Sequence, residues 1–457
     1  MRKTLALLLA VALLYLAPFF PLSIESHTLA AATKFYTVPN PIPNRYIVVL
    51  ATTDLSPIAA PAATPVAAAP KTAKASSTSA MTFEASSMMD VEEAPAADPV
   101  EETATELTVT YGGTFSTTWS DAIKGFLLNS TEAQAIAMSG DSKVAFIVQD
   151  GAIAVGSPDS DPIQMAPDPD AGENPQPHAS WGLDRIDQPY LPLNRFYGYH
   201  NNGEGVNAYV IDTGILPTHS EFVGRAVALY DAVDREGTAV DCNGHGSHVA
   251  GIIGGRTFGV AKRVQLFGVR VLNCQGTGTW SDVIDGVNFV TWHHRQPAQQ
   301  GIPAVANMSL AGGTNRAAEA AVRNSIRAGV TYVVAAGNGN SDAANYSPAG
   351  LAEAITVGAT DRYDARAEFS NYGATLDIFA PGVSITSAWT GGNDMYATAT
   401  GTSMASPHVA GVVALYLETH RTALPATVRS AVVGNSTLGI VINPGQESPN
   451  RLLFTNY

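Results

Sequence analysis

Only two cysteines, Cys242 and Cys274, occur in 457 residues. Neither lies in a C-x-x-C pair, which argues against a structural zinc site. Basic residues are also scarce. Lys and Arg number 25 against 40 Asp and Glu, for a net charge of −15, and such a surface repels nucleic acid. The deficit is uneven. Before position 179 there are 19 acidic and 8 basic residues, and after it 21 and 17, so the two parts carry −11 and −4. Long apolar runs are missing beyond the first twenty residues, which leaves no later stretch able to span a bilayer.

The early run is informative. Arg2 and Lys3 precede Leu5 to Phe20, a stretch interrupted by Pro18. It is short for a membrane span and suits a signal peptide, with Ala30, Ala31 and Ala32 offering a cleavage site. The alternative is an uncleaved anchor. Residues 1–32 are therefore predicted to direct export, to leave a secreted chain with no membrane attachment, and to make a disulfide permissible.

Composition then divides the chain. "RYIVVL" (45–50) reads as a strand. From 51 to 106, Ala, Thr, Pro and Ser dominate, and too little apolar surface is present to offset the entropy of ordering. Disorder is predicted there. Order returns with "LTVTY" (107–111), a helix near 118–128 and the strand-like "VAFIV" (144–148). Residues 157–178 are proline-rich and carry five acids, as an exposed linker would.

Beyond the linker, buried β-runs alternate with helical stretches. The runs are "NAYVI" (207–211), "VQLFGVRVL" (264–272), "AVANMSL" (304–310), "TYVVAA" (331–336) and "AITVGA" (354–359). The helices fall at 245–254, 280–294, 315–328 and 403–419. This alternation predicts an α/β fold, a doubly wound and mostly parallel sheet with helices on both faces. Sites in such sheets lie beyond the carboxyl ends of the strands.

Polar residues gather at those ends. One strand delivers Asp212 in "VIDTGI", the next Ser309 and Leu310 in "NMSLAGG", a third Asn338 in "VVAAGNGN". Two helix starts add His245 in "NGHGSHVAG" and Ser403 in "GTSMASPHVAG". A serine hydroxyl needs a base to become a nucleophile, and histidine is that base because its pKa lies near neutrality. A buried carboxylate fixes the imidazole tautomer. The oxyanion needs donors, which Asn338 and the backbone N–H of Ser403 can supply. Small residues around Ser403 let a substrate carbonyl approach. Esterases of the α/β-hydrolase type need G-x-S-x-G and the order Ser, Asp, His, which this chain does not follow. A non-catalytic relative would have lost one of the four groups. His245 and His248 are three apart, but no Glu follows His245 as in H-E-x-x-H. His248 reads as a packed helix residue, and His293 and His294 as partners of a helix dipole.

These motifs carry a resemblance. "VIDTGI", "NGHGSHVAG", "SLAGG", "AAGN" and "GTSMASPHVAG", in the order Asp, His, Asn, Ser, resemble those of the subtilisin-like serine proteases. "WGLDRIDQ" (181–188), "VRVLNCQGTGTWSDVIDGV" (269–287) and "DRYDARAEFSNYGATLDIFAPG" (361–382) are most similar to the proteinase K branch and its aqualysin-type members. The resemblance implies a secreted endopeptidase with Asp212, His245 and Ser403 as triad, and Asn338 and Ser403 as oxyanion hole. It implies a small α+β propeptide domain at 33–156, a linker with the processing site at 157–178, and a catalytic domain at 179–457. The propeptide would be an intramolecular inhibitor, its last segment in the cleft, and the nascent enzyme would cut itself between about Val155 and Ser180. The low-complexity stretch takes the place of the propeptide's first helix in relatives. Substrate would lie between Gly276, Thr277 and Gly278 on one edge and Ser309, Leu310, Ala311 and Gly312 on the other, with Ala311 narrowing a groove that is usually glycine-lined. No charged residue lies in "SLAGG" or "AAGNG", so an apolar or aromatic residue is expected before the scissile bond. Cys242 and Cys274 would pair. Structural calcium would be held by Ala352, Ala354 and Asp377. The residues of "LDRIDQPYLPLN" offer a second candidate, Asp184, Asp187, Gln188 and Asn194, oxygen ligands of the hard type that calcium takes, or else a solvated turn. Protein substrates and a monomeric state are expected.

Overall fold

The Asn207–Asp212 strand is buried at every position, and its alternate residues face different cores. Ala208 and Val210 join one apolar cluster with Val249, Ile253 and Val409. Tyr209 and Ile211 join another with Val283, Val287 and Val322. A strand with both faces covered by helices is what a doubly wound sheet requires. The computed structural model describes residues 34–51, 98–166, 168–170, 172–235 and 237–457. The export signal expected at 1–32 and most of the low-complexity stretch lie outside the described residues.

The main sheet has nine strands. Their order is Ala226–Asp231, Gln265–Arg270, Asn207–Asp212, Ala304–Met308, Val330–Ala335, Ile355–Thr360, Ile378–Pro381, Arg451–Leu452 and Thr437–Leu438. All neighbours are parallel except the final pair, which is antiparallel. The four expected helices appear as His245–Gly254, Trp280–Arg295, Arg316–Arg327 and Thr402–Thr419. Asn315 caps the third, accepting from the N–H groups of Ala317 and Ala318. A further helix, Pro425–Gly434, follows.

A separate sheet precedes this one. Its order is Phe35–Tyr36, Val144–Ala154, Pro41–Leu50, Gly125–Asn129 and Thr114–Trp119. Two helices, Pro99–Tyr111 and Glu132–Ser139, accompany it. Two expectations are corrected here. The disorder read over 51–106 gives way to a helix from Pro99, and "LTVTY" is its last turns rather than the return of order. Asp98 caps it through the Val100 N–H, and Val100, Ala104 and Leu107 form one buried face. Its threonines reach back to carbonyls four residues earlier, as Thr108 does to Ala104, so their β-preference is overridden. The helix read near 118–128 is two strands joined by a turn. Gly125 permits the close pairing, since a Cβ there would lie 2.3 Å from the carbonyl oxygen of Val48.

The linker is less detached than its composition implies. Asp159 donates its N–H to Thr398, Ile163–Gln164 pairs with Met395–Ala399, and the Gln176 side chain is buried. His293 also departs from expectation. Its ring nitrogen shares a hydrogen bond with the Tyr209 hydroxyl at 2.8 Å, and burial lowers its pKa, which favours a neutral ring over a dipole partner.

Candidate functional site

His245 opens its helix and Asp212 closes its strand, and the two meet. His245 Nδ1 lies 2.8 Å from Asp212 Oδ1. Asp212 is fully buried and His245 is 3% exposed. The same carboxylate oxygen accepts the Thr213 N–H at 2.7 Å, while Oδ2 is buried without a partner. Burial is the largest influence on the His245 pKa and lowers it. The charge and hydrogen bond of Asp212, helped by the charge of Asp241, outweigh it, so the net direction is upward. A base must be neutral to accept a proton. Activity should therefore fall as pH drops through a midpoint above the ordinary histidine value of 6.5. A kcat/KM profile on a peptide substrate with an acid limb centred below 6.5 would contradict this arrangement.

Asp241 was not singled out by the sequence, yet it organises the start of the His245 helix. Its Oδ1 accepts from the Thr213 hydroxyl and the N–H groups of Asn243 and Gly244. Its Oδ2 accepts the N–H and hydroxyl of Ser247. That replaces the side-chain cap the helix lacks, because its capping residue is Gly244. Glycine is required there. Its φ is +117°, and a Cβ would lie 2.2 Å from the Trp389 ring. A lone aspartate in a loop leaves no periodic trace, which is why this one was not legible.

Ser403 is the second residue of the Thr402–Thr419 helix and is 9% exposed. Its hydroxyl donates to the Ser309 carbonyl at 3.0 Å. The Ser309 hydroxyl in turn donates to the Ser403 carbonyl at 2.7 Å. Pro407 explains the second bond. It has no N–H to offer the carbonyl four residues earlier, and that carbonyl is the one on Ser403. Pro407 thus lies inside the helix, and its missing donor ties the serine's backbone to the strand end beside it.

Asn338 follows the Val330–Ala335 strand and is exposed. Its Oδ1 accepts the N–H and hydroxyl of Thr402 at 2.9 and 2.8 Å, which fixes the amide so that Nδ2 is the free end. A methyl placed on Gly401 would lie 3.3 Å from Asn338 Nδ2 and 3.6 Å from the Ser403 nitrogen. Both donors therefore border one point, as an oxyanion hole requires, and Gly401 keeps that point open.

The two proposed edges are occupied. Val144–Ala154 runs on past its own sheet and pairs antiparallel with Thr277–Thr279, while Ala154 bridges to Ala311. Val155 donates its N–H to the Gly276 carbonyl at 2.9 Å. Ala311 thus admits a strand despite its methyl. Gly312 lies where a Cβ would meet Trp280 at 2.8 Å and Ile153 at 2.9 Å. Leu310 is buried, and Ile153 shares its apolar cluster with Leu272, Trp280 and Leu310.

Cys242 and Cys274 form a disulfide, spanning 32 residues. On the chain-entropy model such a loop contributes roughly 3–4 kcal/mol.

The expected calcium ligands divide. Asp377 already carries a resident cation. Oδ1 accepts from Arg429 Nη2 at 2.5 Å and Oδ2 from the Thr356 N–H at 2.9 Å. With Ala352 and Ala354 it does not fit a calcium ion. The second cluster differs. Asp184 accepts the N–H groups of Asn194 and Arg195, Asn194 Oδ1 accepts that of Phe196, and the Gln188 amide donates to the carbonyls of Tyr190 and Pro192. Asp187 Oδ1 remains buried without a partner. Among the described residues, no group of three or more His, Cys, Asp or Glu side chains is placed to hold a metal.

Comparison with known proteins identifies the family. Residues 203–452 match the model of the subtilase family. The extracellular serine proteinase of Thermus sp. (strain Rt41A) is 49% identical over 342 residues, 74% of this chain and 77% of that protein. Proteinase R of Parengyodontium album is 41% identical over 343 residues, covering 74% and 81%. The crystal structure of a cold-adapted subtilisin-like serine proteinase aligns with a TM-score of 0.58 at 48% identity, covering 61% of this chain and 98% of that one. The chain belongs to the subtilase family of serine proteases.

Proposed function

We propose that this chain is the precursor of a secreted endopeptidase, and that residues 33–156 are a propeptide whose last segment fills its own enzyme's cleft. One observation carries the reading. The end of the Val144–Ala154 strand lies between Thr277–Thr279 and Ala311, hydrogen-bonded as an extended peptide substrate would be. The named relative in Thermus is extracellular, which supports export.

In a substrate held there, Ser403 attacks the scissile carbonyl. His245 takes the hydroxyl proton and later delivers it to the leaving amine, held in orientation by Asp212. Asn338 Nδ2 and the Ser403 N–H stabilise the oxyanion. To pass its proton to His245, the Ser403 hydroxyl has to leave the Ser309 carbonyl, to which it now donates. Ile153, buried beside Trp280 and Gly312, favours apolar residues upstream of the cut. The linker beyond Val155 supplies an accessible bond.

Calcium belongs to this reading at the second cluster. Asp187 would hold it through its unpartnered oxygen, with Asp184, Gln188 and Asn194 around it. The ion would lend stability by binding only the folded state.

N-terminal sequencing of the secreted protein, paired with peptide-library profiling, tests the proposal. The mature chain should begin between Gly156 and Trp181, and cleavage should tolerate many residues with an apolar or aromatic preference. A strict requirement for Arg or Lys, or a mature start inside residues 34–150, would overturn it.

A further inference from the structure

Asp377 precedes the Ile378–Pro381 strand, with only 9% of its side chain exposed. A carboxylate so placed needs a compensating positive charge. It has one from within the chain. Arg429, on the Pro425–Gly434 helix, reaches over with its Nη2 to Oδ1. The contact uses one prong, since Arg429 Nε is buried without a partner. The other Asp377 oxygen is held by the Thr356 N–H, and Asp377 returns its own N–H to the Thr356 carbonyl. The carboxylate is thereby fixed against the Ile355–Thr360 strand, which Ala352 and Ala354 lead into.

The charge balance decides what this place can hold. The two backbone carbonyls expected as ligands, those of Ala352 and Ala354, are neutral, while Asp377 brings one negative charge and Arg429 one positive. The formal sum is zero, and a divalent cation would have to displace or face a guanidinium already on the carboxylate. Calcium sites are built the other way, from carboxylates and carbonyls without a resident cation. Like charges a few ångströms apart are strongly unfavourable where water is excluded.

We propose that the Arg429 guanidinium is the built-in cation of the Asp377 site, taking the place of a calcium ion, so that this corner of the fold is held without metal. Removing the guanidinium leaves a buried carboxylate without its cation, and the site becomes one that calcium fills.

Calcium binding per chain, measured by equilibrium dialysis on full-length protein carrying Ser403→Ala to prevent self-digestion, tests this. The Asp377→Asn derivative should bind as many ions as its parent. The Arg429→Ala derivative should bind one more, and should lose that extra ion when Asp377→Asn is added. In thermal unfolding, Arg429→Ala should show a larger rise in Tm with calcium than the parent does. Loss of one ion on Asp377→Asn alone would mean that the carboxylate already holds calcium. No gain on Arg429→Ala would mean that the guanidinium does not stand where an ion binds. Either result overturns the proposal, and the Arg429 comparison remains decisive if Asp377→Asn does not fold.

Discussion

Replacing Ser403 with alanine should lower kcat on the order of a millionfold, the scale found on removing the serine or the histidine in subtilisin, a relative of this chain. The reason is that, in the proposed mechanism, the three side chains act as one unit. His245 is useful only if there is a hydroxyl to deprotonate, and Asp212 only if there is an imidazole to orient. What remains is substrate positioning and the two oxyanion donors, which still accelerate reaction with water by roughly 10³–10⁴. The measurement is kcat for a chromogenic peptide with purified mature domain, because autolysis and carry-over protease must be excluded. The same variant reports on maturation. It should accumulate outside the cell with residues 33–156 still attached, and a trace of active enzyme should trim it. Retention of more than a small fraction of activity would remove Ser403 from the role of nucleophile. Normal processing in a host lacking other extracellular proteases would show that maturation is not self-catalysed.

Asn338→Leu should lower kcat by roughly 10²–10³, or about 2.7–4 kcal/mol, with KM little changed. The substitution keeps the shape of the side chain and deletes its donor, together with the oxygen that Thr402 holds. Asn338 is suited to the task because Thr402 takes its carbonyl oxygen through two hydrogen bonds. The amide therefore does not reorganise when charge appears on the substrate, and such preorganisation is where the stabilisation arises. In the proposed mechanism the donor serves the oxyanion rather than the ground-state carbonyl, so the loss should fall on turnover. Steady-state kinetics that showed a loss confined to KM would assign Asn338 to substrate binding instead.

Much of this site was legible because its chemistry is attached to strong periodic signals. Asp212 and Asn338 lie just past buried β-runs, and Ser403 opens a long apolar helix, so the topology alone brings them to one end of the sheet. The edges proposed to hold substrate rest on resemblance alone at the level of sequence, since glycines in a loop have many uses. Asp241 and Thr402 were not legible. Each acts through contacts with residues distant in sequence, Asp241 with Thr213 and Thr402 with Asn338, and neither pairing leaves a local pattern. Arg429 was hidden for the same reason, 52 residues from Asp377. The front domain misled in a different way. "LTVTY" is rich in β-branched residues, yet Leu107 completes a buried helical stripe that began with Val100, inside the stretch read as disordered. Composition described that stretch on average, while its last residues belonged to a folded element.

The bridge between Cys242 and Cys274 bears on precision. Cys242 lies three residues ahead of His245, and Cys274 two ahead of Gly276, whose carbonyl holds the Val155 N–H. Asn243 adds a second tie, donating its side-chain N–H to the Cys274 carbonyl at 3.1 Å. His245, the proposed base, and the edge that holds Val155 are thus fastened to each other directly, and not only through the sheet beneath them. If each rode on its own loop, their positional variances would add, and the spread in the gap between imidazole and scissile bond would reflect both. Fastened together, they share most of their displacement, and that common part cancels from the gap. Thermal agitation can therefore move the cleft as a body while leaving the alignment of the reacting atoms nearly unchanged.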